Sequence, residues 1–495
     1  VPNSKPLLIG IDLGSSGVKA TLLHAEQGIL ASATHEVSQF SEHQGWSEAD
    51  PAQWWSASCS AIRELLTTPD VLASHVGAVA VSGMVPAVVV VDENNQPLRR
   101  GILQNDARAT KEIGELRERL AHVDLLSLVG SVLSQQSVAP TALWLARNEP
   151  AVWSSTSALM GSYDWLSVQL GAQRHVEYNW ALESGLYRIS MEPLSDVYDA
   201  TAVTWPEALP VRYPGDVVGE VSTHAAEATG LVAGTTIVVG GADHVLSAYG
   251  AGLTKEGDCL VKLGGAGDIL AVRDDVHLDP RLYLDAHPIP GKWLPNGCMA
   301  TSGSLLRWEQ SLLGGADLET LDAEASQSAP GALVALPYFL GEKTPLHDPD
   351  LRGVIAGLHL ASTRGDIHRS FLEAIAYGFR SHFDVFSSGG LDITHTTVTN
   401  GGSKSRLWRE ILADVLGRDL HSIINHPGAS YGAAVIAGIG AGVIDDWSYV
   451  VGHLEEGETI SPNPENVTRY NERYADYVAL TSATTEISHR LARSL

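Results

Sequence analysis

Apolar and polar positions along the chain change rhythm in ways that name its elements. Leu7 to Leu23, LLIGIDLGSSGVKATLL, carries two apolar stretches joined by the small polar turn Gly14-Ser15-Ser16-Gly17, which predicts two strands closed by a glycine turn. Cys259 to Val272, CLVKLGGAGDILAV, repeats that grammar around Gly264-Gly265-Ala266-Gly267. The repetition predicts two related domains that each open with a hairpin, 1–250 and 251–495. Between the hairpins the period switches. Asp50-Pro51 precedes AQWWSASCSAIRELL as an N-cap and a first-turn proline would, and Trp55, Cys59, Ile62 and Leu66 fall on one helical face. The β-branched run from Val76 to Asp92, interrupted by Gly83 and Pro86, predicts two buried strands around a bend. Helical spacing returns at Ile367, Phe371, Ile375 and Phe379, and from Leu407 to Leu416, where Ser405 caps the start and Gly417 the end.

Length and charge narrow the function classes. A chain of 495 residues exceeds what one core usually supports, which agrees with two domains. Its 58 acidic against 32 basic residues give a formal charge of −26, which repels nucleic acid and anionic lipid. Cys59, Cys259 and Cys298 are too few and too far apart for a disulfide framework or a zinc site. No basic stretch leads into an apolar block, and the longest uncharged run, Gly77 to Val91, is broken by Ser82, Gly83 and Pro86. The expectation is a cytoplasmic protein with neither a nucleic-acid nor a membrane partner.

Three places hold candidate chemistry. The first turn offers backbone N–H groups and two hydroxyls in a bend tight enough to wrap phosphate oxygens, with Asp12 beside it as a potential Mg²⁺ ligand. Either turn alone is also an ordinary strand connector, but two facing hairpins can grip one polyphosphate from both sides. In Thr236 to Gly252, TIVVGGADHVLSAYGAG, Asp243 stands where a strand gives way to a helix. It is an N-cap on the plain reading and a general base on the functional one, with His244 a structural neighbour or a sugar contact. Asn105-Asp106-Ala107-Arg108 places a carboxylate where it can accept from a vicinal diol, or pair with its own arginine. GxxxxGK[ST], a GxGxxG helix opening, GxSxG and HExxH are all missing, which removes the P-loop, Rossmann, serine-hydrolase and zinc-protease readings.

Taken in order, IGIDLGSSGVKA, GWSEADPAQWW, GGADHVLSAYGAG, YFLGEKTPLHDPDLRGVIAGL, NGGSKSRLWREILADVLG and YGAAVIAGIGAG resemble the motifs of the FGGY carbohydrate kinases over nearly the whole chain. The resemblance implies an α/β fold of two actin/Hsp70-like (ribonuclease H-like) domains with an interdomain active-site cleft. It implies ATP and Mg²⁺ as cofactors, Asp12 as the metal residue, and Asp243 as the catalytic base. Ser15, Ser16, Gly264 and Gly265 would line the phosphates, and Gly401, Gly402 and Ser405 the adenosine. Met84, Pro86 and Asp106 would join Asp243 in contacting the sugar. The implied substrate is a small ketose, D-xylulose first, with ribulose, erythritol and other tetritols, and glycerol as alternatives. Dimers are frequent among such kinases, which makes a homodimer an expectation by analogy.

The departures from the pattern touch specificity. Many xylulose kinases carry Gln-Met-His after the Ser-Gly that opens the bend, whereas Ser82-Gly83 is followed here by Met84-Val85-Pro86, without an imidazole. Thr141 replaces a common lysine, Gly265-Ala266 replaces the usual Thr-Ser, and Phe371 replaces a smaller residue. A non-catalytic sugar or nucleotide sensor would keep the fold. Retention of both Asp12 and Asp243 argues against it, and an actin-like chaperone would leave the sugar-side matches unexplained.

Overall fold

The computed structural model describes residues 5–424 and 426–494, so the outer limits 1 and 495 of the expected domains lie outside it. The chain divides into two compact units. The first runs to Gly252 and takes back Leu284–Lys292 and Pro427–His453; the second comprises Leu253–Tyr283, Trp293–His426 and the chain from Leu454 onward.

In the first unit six strands form one sheet: β1 (Leu7–Leu13), β2 (Gly17–His24), β3 (Gly28–Glu36), β4 (Val76–Gly83), β5 (Val217–Glu220) and β6 (Thr236–Ala242). Their order is β3-β2-β1-β4-β6-β5. β1, β4 and β6 run parallel, and the hairpin strands β2 and β3 are antiparallel to their neighbours. Every residue of β4 is buried, the continuous apolar run of a strand covered on both faces.

The second unit repeats the plan with β7 (Asp258–Leu263), β8 (Gly267–Ala271), β9 (Trp293–Met299), β10 (His395–Thr399), β11 (Leu420–Ile423) and β12 (Glu456–Ile460). Here the order is β9-β8-β7-β10-β11-β12, with β7, β10 and β11 parallel. Each unit therefore has three antiparallel strands followed by two parallel ones and a closing antiparallel strand, a mixed sheet in both. The second core forms around Val261, Ile269, Phe371, Ile375 and Phe379.

The return of Pro427–His453 to the first unit has a clear cause. Helix Ala429–Gly440 is built from small residues and lies directly on β1. A Cβ at Gly10 would sit 1.9 Å from the Ser430 carbonyl oxygen and 2.3 Å from the Ala434 nitrogen, so any larger residue would force the helix off the strand. Gly432 makes the same close approach to Leu246 in the helix that carries Asp243, where an added Cβ would lie 2.3 Å from the Leu246 carbonyl.

Most of the predicted elements form, with two shifts of register. The helix after Asp50 spans Pro51–Leu65 and Asp50 caps it. Its buried side includes the predicted Cys59 and Ile62 but is centred closer to Trp54, Ser58, Ala61 and Leu65, which leaves the predicted Trp55 and Leu66 half-buried at its margin. Trp54 decides this, because its ring packs against Gly101, where a Cβ would lie 3.0 Å from it. Asp243 is the first residue of helix Asp243–Gly250 and not its cap, which is Ala242. Ser405 and Gly417 cap helix Arg406–Leu416 as expected, Gly417 with φ of 63°. Among the described residues no helix is long and apolar enough to cross a membrane.

Candidate active site

The parallel strands of the first unit bring its acidic candidates to one edge. Asp12 on β1 lies opposite Ser82 on β4, and Ser82 lies opposite Gly241 on β6, two residues before Asp243. With neighbouring strands about 4.8 Å apart, the two aspartates stand on the order of 10 Å from each other at the carboxyl ends of the sheet, where α/β folds bind ligands. The turn after β1 belongs to the same edge. Gly14 N–H donates to the Gly17 carbonyl at 2.9 Å, whereas the N–H groups of Ser15 and Ser16 make no hydrogen bond among the described residues. Such donors suit an anion. Lys19, opposite Asp12 in the hairpin, donates through Nζ to the Pro427 carbonyl at 2.8 Å; burial, opposed only in part by Asp12, holds its ammonium below the usual lysine range.

Asp243 keeps 36% of its side chain exposed, and its Oδ1 accepts from the His244 N–H at 2.6 Å. His244 is clamped from the far side by Asp285 at 2.7 Å, with Glu183 at 3.9 Å. Burial opposes its charge, yet Asp285, Asp243 and Glu183 together hold it well above the usual imidazole range. Glu183 moves the other way chemically: burial and then Asp285 push it far up, favouring its neutral form. Behind this group, Asn179 exchanges two hydrogen bonds with the Ala286 backbone at 2.7 and 3.0 Å, and Glu177 accepts from Asn179 N–H, Trp180 N–H and Tyr163 Oη. Asp243 thus stands on a braced floor. Pattern alone did not single out Lys19, Glu183 or Asp285, since they lie far from Asp243 in the chain.

The expected sugar contacts divide. Met84 and Pro86 are buried in the bend that ends β4, in the edge row of Asp12 and Asp243, and the Val85-Pro86 bond is cis. Asp106 is different. Its Oδ1 accepts from Arg108 N and Nε at 2.9 and 2.8 Å, and its Oδ2 from Ser47 N and Arg108 Nη2 at 2.6 and 2.7 Å. Four donors fill a carboxylate's lone pairs, so no acceptor site remains for a diol. Glu48 also grips Arg108 at 2.7 Å, and the guanidinium stacks 3.8 Å from the Trp46 ring. Trp46, Glu48 and Asp50 of GWSEADPAQWW therefore serve this buried cluster and the helix cap.

In the second unit the expected nucleotide residues converge. Gly264, Gly265, Gly401, Gly402 and Ser405 line one cavity of about 1010 Å³, at the upper end of the range for small-molecule sites. The turn after β7 is held open by its carbonyls: Gly264 accepts from Gly303 N–H at 2.8 Å, and Gly265 from Ser302 and Ser304 N–H at 2.9 and 3.0 Å. The N–H groups of Gly264, Gly265 and Ala266 make no hydrogen bond among the described residues. Arg307 crosses Gly265 so closely that a Cβ there would lie 2.7 Å from Nη2. Asn400, also in the wall, has φ of 73°, a strained backbone at the point where the chain turns into Gly401–Lys404. Arg307, Asp322 and Asn400 were not singled out from the sequence; only Asn400 stood within a matched motif.

Comparison with known proteins also finds two domains. Residues 7–250 match the N-terminal domain, and residues 275–441 the C-terminal domain, of the FGGY family of carbohydrate kinases. The chain is similar to xylulose kinase from Rhodospirillum rubrum, with a TM-score of 0.92 and 38% identity, covering 98% of this chain and 100% of that one. It is 29% identical to xylulose kinase of Staphylococcus epidermidis, covering 98% of both chains. A xylulose kinase of Escherichia coli is also 29% identical, over 88% of this chain and 90% of the other.

Proposed function

Because this chain belongs to the FGGY family of carbohydrate kinases, we propose that it transfers the γ-phosphoryl group of ATP to the terminal hydroxyl of D-xylulose, giving D-xylulose 5-phosphate and ADP. The observation that carries the chemistry is the alignment of Asp12 and Asp243 on one strand edge beside a turn with unoccupied N–H donors. Asp243 takes the hydroxyl proton as the sugar oxygen attacks the γ-phosphorus in line, and the bond to the β-phosphate oxygen breaks. Amides of Ser15, Ser16, Gly264 and Gly265 offset charge on the phosphoryl oxygens, while Gly401, Gly402 and Ser405 border the adenosine.

Asp12 fits Mg²⁺: its half-buried carboxylate offers hard oxygen donors next to the phosphate turn. It would hold the ion directly or through water, and the ion would neutralise phosphate charge there. In Asp12→Ala the Mg²⁺ concentration for half-maximal rate should rise about tenfold or more, the loss of roughly one charge-assisted contact; an unaltered Mg²⁺ response would remove Asp12 from this role.

On the sugar side the reading keeps Met84, Pro86 and Asp243 and assigns Asp106 to scaffold. The missing imidazole after Ser82-Gly83 keeps other pentuloses in competition. ADP release measured with D-xylulose, ribulose, erythritol and glycerol at equal concentration should give the highest kcat/KM with D-xylulose. A higher value for any other would reassign the substrate within the same chemistry. The enzyme works in the cytoplasm on this reading, consistent with free Cys59, Cys259 and Cys298, and as a homodimer, which light scattering on the eluted protein tests.

A further inference from the structure

Behind the wall of the large cavity lies a buried ionic relay that no part of the proposed chemistry uses. His368, on helix Arg364–Ser388, is fully buried. Its Nδ1 lies 2.6 Å from Glu309 Oε2 on helix Gly303–Leu312, and its Nε2 lies 2.9 Å from Asp322 Oδ1 on helix Leu318–Ala325. The other oxygen of Asp322 accepts from Ser405 Oγ at 2.6 Å. Ser405 Oγ in turn accepts from Trp408 N–H at 3.1 Å and so caps helix Arg406–Leu416. Asp322, Ser405 and Trp408 line the cavity; Glu309 and His368 do not.

An imidazole flanked by two carboxylates satisfies both only if each ring nitrogen carries a proton. Were the ring neutral, one nitrogen would face a carboxylate with no proton between them. Asp322 would then carry its full charge at the cavity wall and would be free to swing off Ser405. Of the other charged groups on the two neighbouring helices, Glu324 is paired with Arg364, while Glu319 and Arg307 line the cavity; no hydrogen bond or ion pair joins any of the three to His368 among the described residues.

We propose that His368 is a positioning residue for the nucleotide, whose imidazolium pins Asp322 onto Ser405 and thereby fixes the Gly401–Ser405 wall in its ATP-binding shape. This rests on the reading of the cavity as the adenosine site. The charge state agrees with the geometry. Burial opposes the imidazolium, but the bonds to Asp322 and Glu309 prevail and push it up to about 9. The raised value means that the clamp is complete below the ordinary imidazole range and is lost as pH rises through about 9.

The test is steady-state kinetics in ATP and in sugar, from pH 7 to 10, on the wild type, His368→Gln, Glu309→Gln, Ser405→Ala and Gly401→Trp, with circular dichroism to confirm folding. The KM for ATP should rise about tenfold or more in His368→Gln and in Ser405→Ala, the loss of a charge-assisted hydrogen bond, while kcat and the sugar KM change less than about threefold. Glu309→Gln should move the ATP KM in the same direction although it does not line the cavity. The wild-type ATP KM should climb through pH 9, and that of His368→Gln should stay flat. Folded His368→Gln and Glu309→Gln proteins that keep the wild-type ATP KM and its pH profile overturn the proposal. If His368→Gln does not fold, Ser405→Ala decides, and an unchanged ATP KM again overturns it. Gly401→Trp separates the two levels: Gly401 lines the cavity and nothing lies within 4 Å of a Cβ there, so a bulky ring is placed at the cavity wall without a backbone clash. An ATP KM indifferent to Gly401→Trp removes the nucleotide from the cavity altogether. A raised one with an unaffected His368→Gln rejects only the relay.

Discussion

Asp243→Asn is expected to reduce kcat for sugar-dependent ADP release by about 10²- to 10⁴-fold, the usual contribution of a positioned general base. The amide keeps the shape of the side chain, can still accept the His244 N–H, and cannot take the hydroxyl proton. Asp243 is well suited to the role because it is a third exposed at the carboxyl end of β6, while Asp285, which holds His244 beneath it, is only 3% exposed. The ATP KM should change no more than a few-fold, since Asp243 acts on the sugar hydroxyl and not on the nucleotide. Rates are to be compared in a coupled ADP assay alongside circular dichroism. A variant with wild-type kcat would remove Asp243 from proton transfer and return it to the helix-start role that its position also permits.

How much of this was legible beforehand depends on whether a feature is local. The two hairpins, the strand pair around Pro86 and the caps at Asp50, Ser405 and Gly417 are set by near neighbours, and each formed where the residues indicated. Asp12 and Asp243 were legible as chemistry but not as neighbours. What brings them to one edge is the parallel register of β1, β4 and β6, which depends on strands some 70 and 230 positions downstream of the first. The return of Pro427–His453 to the first unit was hidden for a similar reason. The run of small residues in YGAAVIAGIGAG fits a tightly packed helix, but only the approach of Ser430 to Gly10 says which strand it serves. Lys19, Asp285, Arg307 and His368 act through partners 40 to 400 residues away, with no spacing rule to announce them. In Asn-Asp-Ala-Arg the local pair was legible, but not that Ser47 and Glu48 would close over it.

That closure gives Asp106→Ala a definite and unusual signature. Arg108 and Asp106 side chains are 1% and 3% exposed, and Glu48 is 7% exposed, so their charges are shielded very little by solvent. Removing Asp106 leaves Arg108 buried with Glu48 as its remaining anion, strips an acceptor from Ser47 N–H, and loosens the guanidinium that lies 3.8 Å from the Trp46 ring and 5.1 Å from the Trp144 ring. Breaking a buried pair in this way costs about 3–5 kcal/mol. Urea unfolding followed by tryptophan fluorescence should report the loss as a lower midpoint, because the probes at Trp46 and Trp144 stand on the cluster itself. A sugar-contacting carboxylate would behave otherwise, with stability near the wild type and a sugar KM raised at least tenfold, the effect of one lost charged hydrogen bond. The saturated lone pairs of Asp106 favour the first pattern, in which the sugar KM of the folded fraction stays within a few-fold of the wild type. The second pattern would show that the Arg108 fork releases Asp106 when sugar binds, and would return the residue to the substrate site.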